Sequence, residues 1–453
     1  MKMTPEQRTH MMLTQPVSRI ISRLAVPSII SMLISSIYNM ADTFFVSQLG
    51  TSASGAVGVI FSAMSIIQAV SFTIGMGTGA NVSRCLGARQ VKEAHTFCSV
   101  GVITAFLMGI VICLLGQLNL DWLVRFLGAT ETIAPYAKDY ATYIFYAAPF
   151  MMASFAMNNV LRFQGLATYG MIGITTGGIL NMALDPILIF SLNLGTAGAA
   201  IATAISQMIS FFILLGMCNI KPDAITIRLR SFKPTLKMYL RILHIGLPSL
   251  GRQGIASIAT IVLNTAAGVY GDAAIAALSI VSRFVMFINS AVIGFGQGFQ
   301  PVCGFNYGAG KYSRVRQAYN FSVKVATLIL VCLVALSLPF SRAIVTLFRA
   351  DDAEVIRIGT LSMQLQLSTM PLWGVIVMSN MFTQSIGYGV RATLLSASRQ
   401  GICLIPLLLT LPNIWGLTGL QICQPIADIL TFILAMLIVA SVMKKMKALP
   451  DKE

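Results

Sequence analysis

Residues 69–88 read AVSFTIGMGTGANVSRCLGA, and residues 290–309 read SAVIGFGQGFQPVCGFNYGA. A shift of 221 positions aligns the two stretches, and the alignment extends without a gap over residues 27–88 and 248–309. Thirteen of those 62 pairs are identical, and several of them are glycine or proline, which fix backbone geometry. The chain is therefore predicted to contain two related halves with matching kinks and close contacts.

The composition of the chain indicates a membrane protein. Of its 453 residues, 56% are hydrophobic and 10% are charged, whereas soluble domains carry about 25% charged residues. Apolar runs of roughly 20 residues, long enough to cross a ~30 Å hydrocarbon layer, recur along the whole chain. We predict an all-α fold with twelve transmembrane helices. The predicted spans are about 24–46, 55–81, 96–118, 139–164, 169–191, 197–218, 245–269, 275–300, 320–340, 360–385, 394–414 and 419–442.

The net charge of +16 is distributed unevenly along the chain. Of 31 Lys and Arg, 24 fall in the two tails and in or near the loops that follow even-numbered spans, counting Arg162, Lys324 and Arg399 at the span ends with those loops, and Arg252 and Arg283 fall inside spans. The loops on the opposite side hold the remaining five, which are Arg125, Lys138, Arg342, Arg349 and Arg357. This bias predicts that both termini lie in the cytoplasm, and it explains the basic excess without a nucleic-acid partner.

The most polar internal stretch, residues 219–241, divides the chain between the two halves. We predict a first six-helix lobe over 1–218, a cytoplasmic linker over 219–241 and a second lobe over 242–453. Because six is an even number of spans, both halves start on the same side of the membrane and form parallel repeats. Such repeats are typical of secondary transporters, with the site between the halves, although a purely structural duplication is the alternative.

Two of the three acidic residues in the spans belong to the first half. Asp42 and Asp185 lie about four and six residues from the outer ends of spans 1 and 5, so their depths are similar. Tyr38 and Asn181 lie one turn below them, and Thr203 reaches the same level in span 6. These groups offer hydrogen bonds to a carboxyl or oxygens to a small cation.

The carboxyl pair occurs in only one of the two repeated halves. Asp42 aligns with Leu263, and Asp185 aligns with Ile405. A structural role would be expected in both halves, whereas a coupling-ion site is needed only once. We therefore predict that Asp42 and Asp185 share one H⁺ or Na⁺, since two nearby carboxyls cannot both ionise cheaply at low dielectric. The structural alternative is that Asp185 offsets strain near Pro186 and pairs with Asp42.

The second half carries Arg252, Arg283 and Asp428 within its spans. Arg252 lies near the cytoplasmic end and can extend its charge toward that surface. Arg283 and Asp428 are each about eight residues inward from the outer ends of their spans. Matching depth and opposite charge predict an ion pair between them.

Methionines are frequent in spans 4 and 10, where they suit either a cavity for varied apolar cargo or ordinary core packing. These are Met151, Met152, Met157, Met363, Met370, Met378 and Met381. The sequence contains no phosphate-binding loop of the G-x-x-x-x-G-K-[ST] type, and its three histidines are dispersed. We expect no enzyme activity, no cofactor and no metal other than a possible Na⁺ at Asp42 and Asp185.

Several segments resemble multidrug and toxic compound extrusion (MATE) transporters, particularly the prokaryotic MepA-like and DinF-like branch. The resemblance covers essentially the whole chain. The matching segments are P27-S-I-I, Y38-N-M-A-D42-T-F-F-V, G79-A-N-V-S-R-C-L-G-A-R89, N181-M-A-L-D185-P-I-L-I-F190 and Q300-P-V-C-G-F-N-Y-G-A-G-K311.

The resemblance implies a V-shaped pair of lobes around a central cavity, in the plasma membrane of a prokaryote. It implies export of amphipathic, often cationic compounds in exchange for H⁺ or Na⁺ by alternating access, and we expect a monomer surrounded by membrane lipids. It carries roles in a first-lobe polar cluster onto Tyr38, Asp42, Asn158, Asn181, Asp185 and Thr203. The alternative functions are a lipid-linked precursor flippase, which needs a cationic cavity, a membrane-embedded enzyme, or a channel.

Overall fold

The computed structural model describes residues 5–220, 224–348 and 352–451. Every regular element in those residues is helical. The α-helices are α1 (Pro5–Thr14), α2 (Val17–Ser47), α3 (Thr51–Gly87), α4 (Val91–Leu118), α5 (Leu120–Phe126), α6 (Ala134–Phe163), α7 (Ala167–Pro186), α8 (Gly195–Asn219), α9 (Leu236–Gly268), α10 (Asp272–Gly308), α11 (Tyr312–Ser337), α12 (Ser341–Phe348), α13 (Ala353–Ser385), α14 (Gly389–Ala397) and α15 (Leu404–Lys447). Arg349 and residues 221–223 of the predicted linker lie outside the described residues.

Ten helices in the described part of the chain are long and apolar enough to cross a membrane. One of them, Gly389–Lys447, contains a non-helical residue at Gly416 (φ 59°, ψ −140°), which divides it into two crossings. The 33-residue α9 is more polar, with Lys237 and Arg241 in its first turns and Arg252 and Gln253 near its middle, and it occupies the place in the second half that α2 has in the first. The prediction of an all-α protein with twelve spans is confirmed.

The internal repeat recurs in the backbone. Helices α3 and α10 are both 37 residues long, and their ends match at the shift of 221. Each begins after a glycine in the same unusual conformation, with φ 110° at Gly50 and φ 91° at Gly271. After each helix a left-handed residue follows, Arg89 in one half and Gly310 in the other. The two six-helix lobes are therefore structural copies.

The connection between the lobes packs against the first lobe. Helix α8 ends at Asn219, and α9 begins at Leu236, so the last six residues of the predicted 219–241 linker are helical. The amide of Ile225 donates to Gln164 Oε1 (2.7 Å), and the amide of Arg228 donates to Ser99 Oγ (3.0 Å).

The lobes touch along their glycine-rich helices on the side where α2 begins and α15 ends, here called the terminal side. A Cβ atom on Gly87 would overlap the carbonyl of Phe305, and one on Gly308 would overlap the carbonyl of Arg84. These positions are equivalent in the repeat, so the contact is nearly two-fold symmetric. Gly246 packs in the same way on the Thr73 carbonyl, and the gap between the lobes is closed on this side.

The contact between α2 and α10 continues to the hydroxyls of Ser36 and Ser290, which are 3.1 Å apart. The close backbone contacts of α9 with α3, at Ile242 and Gly246, lie in the first half of α9. A side chain added at Gly251 or Gly254 would meet nothing within 4 Å. The two lobes therefore diverge toward the side opposite the termini, which gives the V shape implied by the resemblance.

Candidate functional site

Asp185 lies inside the first lobe because of a break in α7. Pro186 ends the regular helix and has no N–H to donate, and a π-helical turn, Ile187–Ser191, follows it. Asp185 is 0% exposed. A carboxyl without contact with water must find partners within the protein.

The partners of Asp185 come from α7 and α8. The amide of Asn181, one turn earlier, donates to Asp185 Oδ1 (3.4 Å) and to Thr203 Oγ1 (3.2 Å). Asn181 and Thr203 are both buried. The structure thus joins three of the residues selected from the sequence.

Helix α2 brings Tyr38 and Asp42 to the same site. The ring of Tyr38 packs on Gly178 of α7, with its Cδ1 atom 3.3 Å from the position of a Cβ on that glycine. Asp42 lies one turn further along α2, is half-buried, and is close enough to Asp185 for their charges to interact. The close approach of α2 and α7 requires the absence of a side chain at position 178.

Three buried oxygens of this cluster have no hydrogen-bond donor among the described residues. They are Asp42 Oδ1, Asp185 Oδ2 and Asn181 Oδ1. Buried polar atoms are nearly always satisfied, so three unsatisfied oxygens in one place need an explanation. All three oxygens can accept a hydrogen bond or coordinate a hard cation such as Na⁺. The residues present fit the small cation that the sequence predicts.

Aromatic residues enclose the cluster. Phe45 and Phe190 meet edge to face, with ring centroids 6.5 Å apart, one turn beyond the two carboxyls toward the side opposite the termini. Tyr140 of α6 is buried, and its electrostatic interactions reach both Asp42 and Asp185. The sequence analysis missed Tyr140, because no motif or repeat position marks it and its proximity depends on how α6 packs.

Asn158 does not join this cluster. It lies five residues before the end of α6, and its amide nitrogen is 2.8 Å from the position of a Cβ on Gly170, near the start of α7. Both helix ends are on the terminal side. At 1.5 Å per residue, Asn158 and Asp185 differ in depth by roughly 20 Å. The role that the resemblance implies for Asn158 stays a prediction, and Asn158 lies apart from the cluster of Asp42 and Asp185.

The second lobe holds an ion pair, but its partners differ from those predicted. Asp428 is 0% exposed, and its Oδ1 accepts from Arg399 Nε at 2.8 Å and from Gln424 at 3.0 Å. Its Oδ2 accepts from Trp373 Nε1 at 2.8 Å and from Thr369 at 3.2 Å. The predicted pair between Arg283 and Asp428 is wrong, because all of these partners surround Asp428, whereas Arg283 is exposed on α10.

Arg399 was missed as a partner of Asp428, although it lies inside the predicted span 394–414. In the structure it lies ten residues after the start of α14, about 15 Å along the helix axis, in the π-helical segment Ser398–Cys403. Its guanidinium stacks 3.6 Å from the centroid of the Trp373 ring. This contact stabilises the cation as well as orienting it.

The methionines in spans 4 and 10 pack inside the lobes. All seven are at most 1% exposed, so the structure favours the core alternative over a cavity lining. The affected residues are Met151, Met152, Met157, Met363, Met370, Met378 and Met381.

Comparison with protein families identifies the architecture. The MatE family model matches residues 27–187 and 237–410, which cover most of both lobes. The chain belongs to the MatE family. The resemblance to multidrug and toxic compound extrusion transporters is thereby confirmed, and with it the expectation of a transporter rather than an enzyme.

Relatives match this MatE family chain over nearly its full length. Multidrug export protein MepA of Staphylococcus haemolyticus (strain JCSC1435) is 28% identical over 423 residues, 93% of each chain. Multidrug export protein MepA of Staphylococcus aureus (strain MRSA252) is 29% identical over 429 residues, 94% of each chain. A solved structure described as the outward-facing conformation of a multidrug resistance MATE family transporter of the MOP superfamily is 27% identical, with a TM-score of 0.91, and covers 96% of this chain and 98% of its own.

Proposed function

We propose that this chain is a secondary active exporter that exchanges amphipathic or cationic compounds for H⁺ or Na⁺ by alternating access. We place it as a monomer in the plasma membrane, with both termini and the linker in the cytoplasm. The basic residues of the tails and linker support that orientation. The names of the MepA relatives, which are multidrug export proteins, support the cargo class.

The unsatisfied oxygens of Asp42, Asp185 and Asn181 carry this proposal. Two carboxylates near one another inside a lobe repel unless a cation or a proton lies between them. Loading that cation neutralises the pair, and releasing it restores the repulsion. The carboxyls belong to the first lobe alone, so one coupling site per molecule is proposed.

Alternating access needs two states between which the ion can discriminate. The described conformation is closed on the terminal side by Gly87 and Gly308 and diverges on the other side. Binding at Asp42 and Asp185 must change the packing of α2 against α7, because the two carboxyls are on those helices. Since α2 also packs against α10 of the other lobe through Ser36 and Ser290, the first lobe can transmit this change to the gap.

The test is efflux of the cationic dye ethidium from proteoliposomes under separately imposed proton and sodium gradients. The wild-type protein should export dye under one of these gradients. Asp42→Asn and Asp185→Asn keep the size and hydrogen bonding of the side chains but remove the charge. Both variants should insert and fold normally and lose gradient-driven efflux.

Thr43→Ala is a matched control, since Thr43 is adjacent to Asp42, is exposed, and donates only to the Asn39 carbonyl of its own helix (2.9 Å). It should pump at the wild-type rate. Wild-type efflux by either Asp→Asn variant would contradict the coupling site. If the wild-type protein exports no dye under either gradient but translocates a lipid-linked precursor, the flippase alternative is correct.

A further inference from the structure

The first twelve residues of α9 carry two exposed stripes of side chains, here called the basic stripe and the leucine stripe. Residues spaced three and four apart lie on one face of a helix. The basic stripe is Lys237, Arg241 and His244, and the leucine stripe is Leu236, Leu240, Leu243 and Leu247. Together the two stripes line one open groove, and its lining comes from α9 alone.

The leucine stripe begins outside the expected hydrocarbon layer. The predicted span starts at about residue 245, yet Leu236 is 76% exposed and Leu240 is 57% exposed. Contiguous apolar side chains on a protein surface mark a contact with a membrane or with another partner. Leu243 and Leu247 continue the stripe into the predicted span. The apolar surface therefore extends from the membrane interface into the hydrocarbon.

The basic stripe lies at the depth of lipid headgroups. Along the helix axis Arg241 is about 6 Å before residue 245, and the interfacial layer is roughly 5–7 Å thick on each side of the hydrocarbon core. Glu93 of α4 holds the guanidinium of Arg241, with Oε1 3.0 Å from Nη1, and the Arg241 side chain remains 49% exposed. Lys237 and His244 are exposed on the same face of α9.

The opposite face of this stretch lies between the lobes. A Cβ atom on Gly77 would overlap the carbonyl of Ile242, and one on Gly389 would overlap the carbonyl of His244. Gly77 belongs to α3 of the first lobe, and Gly389 begins α14 of the second. A ligand in the groove therefore stabilises the part of α9 that packs against both lobes.

We propose that this groove binds one anionic phospholipid of the cytoplasmic leaflet. The basic stripe takes the phosphate group, and the leucine stripe packs along the acyl chains. Basic side chains at the cytoplasmic surface attract anionic lipids, and Lys and Arg donate charged hydrogen bonds to phosphate oxygens. The choice of leaflet rests on the orientation given under the proposed function.

The test measures lipid binding to the full-length protein in detergent by native mass spectrometry. Dioleoyl phosphatidylglycerol and dioleoyl phosphatidylcholine have the same acyl chains and one phosphate each, but only phosphatidylglycerol has a net negative charge. The wild-type protein should bind phosphatidylglycerol more tightly. Arg241→Gln should weaken phosphatidylglycerol binding by about tenfold to a hundredfold, as expected for the loss of a charged hydrogen bond, and should leave phosphatidylcholine binding nearly unchanged.

Two variants separate lipid binding from other effects of Arg241. Glu93→Gln removes the ion pair but keeps Arg241, so it should bind phosphatidylglycerol at least as tightly as the wild type. Arg19→Gln removes one exposed positive charge at the equivalent level of α2, where Ser22 takes the place of Leu243 at the shift of 221. It should bind both lipids like the wild type. A loss in either variant equal to that in Arg241→Gln would overturn the site.

Leu243→Ser tests the apolar half of the groove. It should weaken binding of both lipids by about tenfold, as expected for the loss of one apolar side-chain contact. Displacement of phosphatidylglycerol by inorganic phosphate, with unchanged lipid binding in Leu243→Ser, would assign the groove to free phosphate and overturn the lipid. Equal binding of the two lipids by the wild type would also overturn it. Binding in detergent does not depend on orientation or on an ion gradient, so this inference and the proposed function fail separately.

Discussion

At the scale of single residues, the buried carboxyls of the two lobes differ in how many of their oxygens have partners. In the second lobe, Asp428 is fully satisfied by Arg399, Gln424, Trp373 and Thr369. In the first lobe, Asp42 and Asp185 keep unsatisfied oxygens. A fully satisfied ion pair has a single stable arrangement, whereas an unsatisfied carboxyl pair gains free energy by binding a cation. We therefore infer a structural role for the second-lobe cluster and a coupling role for the first.

The ion pair between Arg399 and Asp428 gives a stability prediction. Asp428→Leu should destabilise the protein by about 3–5 kcal/mol, because it leaves the guanidinium of Arg399 buried without its partner. The double variant Arg399→Met/Asp428→Leu should recover part of this loss. Thermal unfolding in detergent measures both effects. Arg283→Met should leave the unfolding temperature unchanged, and a double variant whose loss equals the sum of the single losses would show that the two residues do not interact.

At the scale of elements, α1 connects the two lobes on the terminal side. The carbonyl of Gln15, just after α1, accepts from Arg314 Nη2 (2.6 Å) of α11, and the carbonyl of Met12 accepts from Asn306 (3.2 Å) of α10. On the first lobe, the Arg8 side chain donates to the carbonyl of Gln164 at 3.5 Å. In the described conformation, α1 therefore ties the first lobe to α10 and α11 of the second.

Arg314→Ala should release α1. Arg314 itself bonds the carbonyl of Gln15, and its Nε also donates to Asn306 Oδ1 (2.9 Å), which holds the Asn306 amide in place for its bond to Met12. Hydrogen bonds to charged groups contribute about 1.5–3 kcal/mol, so amide exchange in Pro5–Thr14 should accelerate by about tenfold to a hundredfold. Hydrogen exchange with mass spectrometry measures this change. Lys324→Ala, an exposed change on the same helix, is the control, and unchanged exchange in the Arg314 variant would mean that other contacts hold α1.

At the scale of the whole molecule, two copies of one six-helix unit meet through symmetric glycine contacts. Gly87 lies on the Phe305 carbonyl as Gly308 lies on the Arg84 carbonyl. Backbones that touch directly leave no side chains to interlock, which suits an interface that must separate and form again. In the proposed alternating access, the extended contact of α2 with α10, up to Ser36 and Ser290, is the part that has to open.

Cross-linking across that contact should stop transport. The hydroxyls of Ser36 and Ser290 are 3.1 Å apart, so cysteines at both positions are within reach of a disulfide. In a variant whose eight native cysteines are replaced, Ser36→Cys/Ser290→Cys should cross-link on oxidation and lose dye efflux, and reduction should restore it. Each single cysteine variant should pump under both conditions. Continued efflux by the cross-linked protein would show that transport does not require this contact to open.

The orientation in the membrane gives a further prediction. Lys233 is exposed in the linker, and the basic bias places the linker in the cytoplasm. In the cysteine-free variant, Lys233→Cys should resist an impermeant maleimide added to intact cells and react after the cells are opened. Labelling of intact cells would reverse the proposed topology.

The sequence by itself determined the class, the twelve spans and the repeat. Apolar length and glycine spacing are local properties, so they can be read without knowing which helices are neighbours. It also selected Asp42, Asp185, Asn181 and Thr203, because depth in a span follows from counting residues from its end. Position along the membrane normal is thus available from sequence.

Only the tertiary structure decided which groups face each other across helices. Arg283 and Asp428 have similar depth, but Asp428 faces Arg399 because the packing of α14 and α15, not depth, sets the direction of a side chain. Thr73 and Gly246 are 173 positions apart in the sequence, and they touch only because α9 of the second lobe packs against α3 of the first. The sequence gives the depth of a residue along the membrane normal, and helix packing sets its position within the membrane plane.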